Sequence, residues 1–513
     1  MITSLLESGA SIDPHRTALV CGADRFTYAD LVRLSESVAA SLHGLGVRRG
    51  DRVVLCLENS WEAVVVIFAV ARIGAIFVPI GRSMKAPKLA QILSDCTPVA
   101  VVADARMRAV ADDALTRVDG VKVQVAAGRN AREDSTRAWT AFSALTEEGA
   151  DPLPVAGIDL DLAALIYTSG SSGRAKGVML SHGNIETAAA SINGYLRNTP
   201  DDVILDVLPL SFDYGLYQLF LAFSSGARLV LERAFMYPTA LLELIARERV
   251  TALPMVPTLA ALFTRQNLST CDLSSLRYIT NTGAPLPITH IRLLRQALPH
   301  VQIVSMYGLT ECKRVSFLPP EEIDERPGSV GHPMDNVEVF VADENGRLAT
   351  HGTGELVIRG SNVMQGYWAA PEETARVLKP GPLPGQVLLY SGDRFHIDAD
   401  GYMYFEARLD DVIKCRGQRV SPREVENVLY EIAGVTGASV SGIPDEILGT
   451  AVKARLSLDR SVTLTEQAVL RHCAARLEDF MVPRVVEFVD DFPVTESGKI
   501  RRASPAPPLD QAH

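Results

Sequence analysis

From the N-terminus to Pro333, short β-branched apolar runs alternate with longer segments whose apolar positions repeat at helical spacing. Asp51–Cys56, Ala75–Pro79, Val99–Ala103, Val121–Val125, Ala227–Leu231, Leu253–Val256 and Gln302–Ser305 read as strands. Tyr237–Arg249 and Ile288–Ala297 read as helices beside them. Trp61–Ala71 is apolar at every position but Glu62 and predicts a buried helix. The apolar stretch from Ala63 to Ile80 is broken by Arg72, Gly74 and Pro79, whereas a spanning helix needs about 20 nearly uninterrupted apolar residues, so no membrane span is expected. Strand–helix alternation of this kind predicts α/β layers, with sheets covered by helices.

Beyond Pro333 the texture changes. Val337–Gly346 and Gly354–Gly360 carry short strands with tight turns, which predicts an antiparallel or barrel-like subdomain. Arg408–Gly417 is strongly polar, and a hinge is placed there at Asp410. A helix over Ser421–Ile432 and strands over Ala438–Gly442 and Ala451–Leu456 predict a last unit of its own. The expected fold class is therefore α/β and multidomain. A large N-terminal domain over 1–409, built of two βα subdomains and a small β-barrel-like subdomain, precedes a mobile α+β C-terminal domain over 410–513. The Pro-rich tail Ala503–His513 is expected to fray.

The 513 residues exceed the usual size of one domain and allow a deep core. Lys and Arg total 50 against 61 Asp and Glu, a net charge of −11, which disfavours nucleic acid as a partner but permits a local basic pocket. The seven cysteines are widely spaced without a CxxC pair, so neither zinc nor a disulfide framework is indicated. A cytoplasmic, reducing setting is expected, and the N-terminus lacks the basic-then-apolar pattern of a secretory signal.

The most informative stretch is Leu165–Val178. An apolar strand runs into Thr168, Ser169, Gly170, Ser171, Ser172 and Gly173, then reaches Lys176. Small residues let backbone N–H groups approach an anion, hydroxyls add donors, and the lysine adds charge; a phosphate is the natural guest. The spacing is not that of a G-x-x-x-x-G-K-[ST] loop. A flexible Gly/Ser surface loop is the plain alternative.

Tyr167-Thr-Ser-Gly-Ser-Ser-Gly-Arg-Ala-Lys-Gly resembles the phosphate loop of the AMP-forming adenylating superfamily, which includes acyl-CoA synthetases, amino-acid adenylation enzymes and firefly-type luciferases. Further segments match that superfamily in order: Asn281-Thr-Gly-Ala-Pro-Leu, Met306-Tyr-Gly-Leu-Thr-Glu, Gly354-Glu-Leu, Tyr390-Ser-Gly-Asp-Arg, Arg408–Gly417 and Thr495-Glu-Ser-Gly-Lys-Ile. The loop departs from the usual pattern at Arg174-Ala175, where a proline commonly precedes the lysine.

The resemblance implies ATP and Mg²⁺ as cofactors and a small-molecule carboxylic acid as substrate. It implies that Tyr307 stacks on adenine, with Gly283, Ala284 and Pro285 along the other side and Gly308 beside it. Thr310 would face the α-phosphate, Glu311 would hold the metal, Asp393 would bind the ribose hydroxyls, and Arg408 would contact ribose or phosphate. Lys499 would meet the acid's carboxylate and the α-phosphate during adenylation. The small domain would then turn about Asp410 and bring Lys414–Gly417 to the site, with Lys414 and Gly417 bordering a tunnel for a phosphopantetheine thiol.

Phe212, Asp213, Gly308 and Cys312 form the expected acid-binding set. Phe212-Asp213 resembles the amino-acid adenylating branch, in which the aspartate pairs with a substrate ammonium. A buried aspartate needs a cationic partner, and an amine-bearing acid would supply one. An aspartate satisfied within the protein is the alternative, and Cys312 suits plain packing equally. Arg419-Val-Ser-Pro looks more like acyl- and aryl-CoA ligases, and Lys313-Arg314 add positive charge favouring an acidic or polar acyl group. The expected activity is adenylation of an acid, with a small amino acid preferred, and transfer to an acyl or peptidyl carrier protein's arm; a non-amino acid with free CoA is the alternative. A luciferase-like oxidase and a silent nucleotide binder stand outside this class.

Overall fold

The computed structural model describes residues 1–128, 139–147, 151–169, 175–233, 237–409, 413–415, 418–445, 449–459 and 462–493. Two large sheets dominate. In the nine-stranded sheet, Gln302–Leu309, Tyr278–Asn281, Ala252–Met255, Val203–Asp206, Arg228–Leu231 and Thr17–Cys21 run parallel in that order. The antiparallel strands Cys312–Phe317 and Asp24–Thr27 lie toward its two edges. In the eight-stranded sheet, Ile76–Pro79, Arg52–Cys56, Ala100–Asp104 and Val123–Ala127 are parallel, and the hairpin of Leu162–Ser169 with Ala175–Ser181 extends it. The β-branched runs are buried on both faces, as parallel strands under helices must be.

Helix Trp61–Ile73 starts where the Ser60 side chain accepts a hydrogen bond from the Ala63 N–H, and it stops at Gly74, whose φ of 76° is left-handed. Every residue from Glu62 to Ile73 is buried. Its Phe68 meets Phe220 and Phe223 of helix Asp213–Ser224 at ring separations of 6.4 and 5.8 Å. The two sheets are thereby joined through their helices into one core, and the apolar run that predicted a buried helix has its cause. No helix among the described residues is long and apolar enough to cross a membrane. All seven cysteines carry free thiols.

Residues 337–408 form a six-stranded antiparallel sheet. This is the antiparallel subdomain expected after Pro333, and no pairing among the described residues closes it into a ring. The C-terminal unit packs helices Pro422–Tyr430 and Glu466–Ala474 on a sheet of Val435–Asp445, Gly449–Leu458 and Val485–Val489 around its own apolar cluster.

His182 opens helix His182–Leu196 and is fully buried, with Nδ1 accepting from the Ile2 N–H at 3.3 Å. Burial, aided by the N-terminal ammonium, pushes its pKa down to about 4, and burial lowers His290 to about 4 as well. Both imidazoles are neutral in the fold, whereas the unfolded chain takes up protons near pH 6.5. Their contribution to stability is therefore complete above about pH 6.5 and is lost progressively toward pH 4. We expect His182→Gln to lose less melting temperature than the wild type between pH 7 and pH 5. Equal losses in thermal melts at the two pH values would contradict this.

Candidate functional site

The strand ends of the nine-stranded sheet, the hairpin of the eight-stranded sheet, the antiparallel sheet and the C-terminal unit share one cavity of about 800 Å³. At one end, Tyr307 lies near the end of strand Gln302–Leu309, its ring edge against Phe395 at 4.7 Å. Its hydroxyl donates to Asp393 Oδ2 at 2.6 Å. Asp393 is 6% exposed and pairs across the sheet with Arg408, whose guanidinium lies 3.6 Å from Oδ1. Burial, followed by the charge of Asp393, drives the Tyr307 hydroxyl pKa well up, so it remains a donor. The loop Gly283, Ala284 and Pro285, after strand Tyr278–Asn281, lines the same space, with Gly283 at a φ of 83°.

Gly308 has little room for a side chain. A Cβ there would stand 3.0 Å from both N and Cα of Arg314. The cause is a bulge: Leu309 pairs with Cys312 but Tyr307 pairs with Ser316, so extra residues are accommodated around Arg314, whose φ is 58°.

At the other end, Thr168 faces Lys176 across the hairpin, and both line the cavity. Lys176 Nζ donates to Glu373 Oε2 at 2.6 Å and lies 5.1 Å from the centre of the Tyr367 ring. The Lys176 hydrogen bond holds the Glu373 carboxyl below its usual range. Tyr367 in turn donates to Glu311 Oε1 at 2.8 Å. Thr310 and Glu311 face the cavity beside these groups. Glu311 thus presents a carboxylate with one oxygen held by a tyrosine. That donor set fits a hard cation shared with phosphate oxygens, such as Mg²⁺. The mouth is walled by the C-terminal unit through Arg423, Glu426 and Tyr430 on its first helix. Arg423 Nη1 donates to the Phe405 carbonyl at 2.8 Å, which ties that helix to the antiparallel sheet.

Thr168, Lys176, Gly283, Ala284, Pro285, Tyr307, Gly308, Thr310, Glu311, Asp393 and Arg408 are therefore brought together. Gly170, Ser171, Ser172, Gly173, Asp410, Gly417 and Lys499 lie outside the described residues, as do the side chains of Ser169 and Lys414. The reading of the sequence missed Tyr367, Glu373, Glu355 and the C-terminal wall. The Gly392 N–H donates to Glu355 Oε1 at 3.0 Å, holding the left-handed Gly392 that precedes Asp393 inside strand Val387–Ile397. The Gly354-Glu-Leu segment held the signal for Glu355. No local signal marked the other residues, which act from distant elements.

Phe212, Asp213 and Cys312 are not among the cavity-lining residues. Cys312 is fully buried and packs in the core, with its thiol pKa raised by burial. Phe212 stands edge-on to Tyr214 at the start of helix Asp213–Ser224. Asp213 pairs with Lys313 Nζ at 3.3 Å, both side chains at least nine-tenths buried. The aspartate thus has a cation within the protein, and the premise that a substrate ammonium must supply one does not hold. Removing one member of a buried pair leaves the other charge exposed to a low dielectric, at about 3–5 kcal/mol. We expect Asp213→Ala to lower the melting temperature by several degrees and Asp213→Leu combined with Lys313→Met to restore much of it. A single variant as stable as the wild type would contradict the pairing.

Residues 6–368 match the AMP-binding enzyme family and residues 424–499 match the AMP-binding enzyme C-terminal domain. The chain is 36% identical over 497 residues to a feruloyl-CoA synthase of Amycolatopsis, covering 96% of this chain and 95% of that protein. It is 32% identical to an L-proline–[L-prolyl-carrier protein] ligase of Streptomyces coelicolor, covering 93% and 91%. The crystal structure of ATP-bound MatB from Rhodopseudomonas palustris superposes with a TM-score of 0.87 at 30% identity, covering 98% and 97%. Two family matches in the expected order and full-length likeness in sequence and fold place this chain in the AMP-binding enzyme family, as an AMP-forming ligase that joins a carboxylic acid to a thiol.

Proposed function

We propose that the chain is an acid–CoA ligase acting on a carboxylic acid without an amine. What carries this reading is the Asp213–Lys313 pair, because the aspartate that would receive a substrate ammonium is already neutralised. The likeness to a feruloyl-CoA synthase over the whole chain favours free CoA as the acceptor.

In the first step an oxygen of the acid's carboxylate bonds to the α-phosphorus of ATP, and the bond to pyrophosphate breaks. Asp393 holds the ribose, Tyr307 and Gly283–Pro285 hold the adenine, and Arg408 lies at the ribose edge. Thr168, Thr310 and Lys176 stabilise the phosphates, which requires Lys176 to exchange Glu373 for a phosphate oxygen. Mg²⁺, when bound at Glu311, neutralises part of the phosphate charge. Lys499 bridges the acid's carboxylate and the α-phosphate. Positioning and charge neutralisation supply most of the acceleration for such a step.

In the second step the unit 410–513 turns about Asp410 and replaces Lys499 with the segment Lys414–Gly417. A thiol gives up its proton, its sulfur bonds to the acyl carbon, and AMP leaves. No side chain is acylated, so the cysteines stay outside the chemistry.

The reading is tested by incubating the protein with ATP, Mg²⁺ and aryl, fatty, dicarboxylic or amino acids. Each acid is assayed with CoA, with a phosphopantetheine-bearing carrier protein, and with neither. We expect pyrophosphate with a non-amino acid, and acyl-CoA with equimolar AMP when CoA is present. Acylation of the carrier protein by amino acids alone would overturn it.

A further inference from the structure

The phosphate end of the cavity carries an anion of its own. Lys176, on strand Ala175–Ser181, lines the cavity and donates from Nζ to Glu373 Oε2 at 2.6 Å. The other carboxylate oxygen, Oε1, accepts from Arg376 Nη1 at 2.9 Å, three residues along helix Pro371–Val377. Arg376 also lines the cavity. The Lys176 and Glu373 side chains are 18% and 29% exposed, so their bond is largely shielded from water, whereas Arg376 is 68% exposed.

Backbone contacts set this pair in place. The strand Gly366–Tyr367 runs antiparallel to the strand of Lys176, with Tyr367 opposite Val178. The Trp368 N–H donates to the Gly177 carbonyl at 2.8 Å. The Tyr367 N–H donates to Thr374 Oγ1 at 2.9 Å, inside the helix that carries Glu373. Glu373 is thereby anchored to the strand beside Lys176, with the Tyr367 ring 5.1 Å from Nζ.

Glu373 stands where a phosphate oxygen must stand if a nucleotide is to use Lys176. An ammonium has three donors, but a carboxylate and a phosphate gathered on one ammonium repel each other. One must withdraw for the other to bind. Withdrawal leaves Glu373 with a cation, because Arg376 holds its other oxygen. A ligand that must first displace an internal group binds more weakly, by the fraction of molecules in which that group is released.

We propose that Glu373 is an internal competitor of pyrophosphate. It neutralises Lys176 in the empty site, yields it to the outer phosphates of ATP, and reclaims it as pyrophosphate departs. Glu373 is therefore a positioning residue that acts through Lys176. The competition weakens ATP and pyrophosphate but spares AMP, which lacks the outer phosphates and is held at the opposite end by Tyr307 and Asp393. The inference rests on the reading of Lys176 as a phosphate ligand in the proposed ligase mechanism.

The test is calorimetric titration of the wild type, Glu373→Gln, Lys176→Met and the double variant. The ligands are ATP with Mg²⁺, pyrophosphate with Mg²⁺, and AMP. We expect Glu373→Gln to tighten ATP and pyrophosphate by ~5-fold, the scale on which losing one partly shielded ion pair moves an equilibrium, with AMP changed by less than ~2-fold. A misfolded variant does not gain affinity, so the sign of the change separates this role from a structural one. In the Lys176→Met background the same substitution should bring no gain, because the two residues act as one unit. ATP affinity that is unchanged or weaker in Glu373→Gln overturns the inference, while weakened binding in Lys176→Met keeps the nucleotide reading. A gain that extends equally to AMP, or that persists without Lys176, reduces Glu373 to a general negative charge and also overturns it. Lys176→Met binding ATP and pyrophosphate as well as the wild type overturns both.

Discussion

Replacing Glu311 by glutamine is expected to slow adenylate formation by ~100-fold or more while ATP affinity changes by only a few-fold, because removing one preorganised charge stabiliser costs 10²–10³ in rate. Glutamine keeps the shape and a carbonyl oxygen that can still accept from the Tyr367 hydroxyl now 2.8 Å from Oε1. It discards the negative charge on which a shared cation depends. Tyr367 also borders Lys176, so the substitution leaves the Lys176–Glu373 bond intact and isolates the charge at Glu311. The measurement is acid-dependent exchange of pyrophosphate into ATP over a range of Mg²⁺ concentrations. Near wild-type exchange would remove Glu311 from the reaction.

Asp393→Ala is expected to weaken AMP and ATP binding by ~100-fold, since truncating one partner of a buried charge-assisted bond costs about 2–5 kcal/mol. Asp393 is 6% exposed, accepts from Tyr307 at 2.6 Å and lies 3.6 Å from Arg408. Its loss frees two groups of the nucleotide end at once. Asp393→Asn keeps an acceptor for Tyr307 and separates that structural part from contact with the ribose. Calorimetric titration with AMP gives both numbers. An unchanged affinity in the alanine variant would show that the nucleotide binds elsewhere.

Much of the scaffold could be read from residue order because local and global demands agree. The run at Val99–Ala103 becomes strand Ala100–Asp104, and the mostly apolar Trp61–Ala71 becomes a helix buried from Glu62 onward. Gly283, Gly308 and Glu311 were legible for a related reason: each stands at or just beyond the end of a strand, where the backbone must turn, whereas Asp393 was marked by the Ser391-Gly392 pair before it, inside strand Val387–Ile397. Tyr307 and Asp393 then meet although 86 residues separate them. The surroundings of Asp213 were not legible. Alternation along Cys312–Phe317 places Lys313 and Arg314 on opposite faces, yet both are buried, because the strand is covered on both faces from Cys312 to Ser316. The pairing of Lys313 with Asp213 spans a hundred positions and follows only from how strand and helix pack. Lys176 carried a phosphate-binding signature, but its bond to Glu373 comes from a helix that no local pattern linked to the hairpin.

The most direct test of a single nucleotide pocket assembled from dispersed segments is a crystal structure with a non-hydrolysable acyl-adenylate analogue. The account predicts the purine between Tyr307 and Gly283–Pro285, with both ribose hydroxyls within hydrogen-bond distance of Asp393. An analogue seated elsewhere, for example in the separate cavity of about 520 Å³ beside Arg16, Arg228 and Arg249, would contradict it.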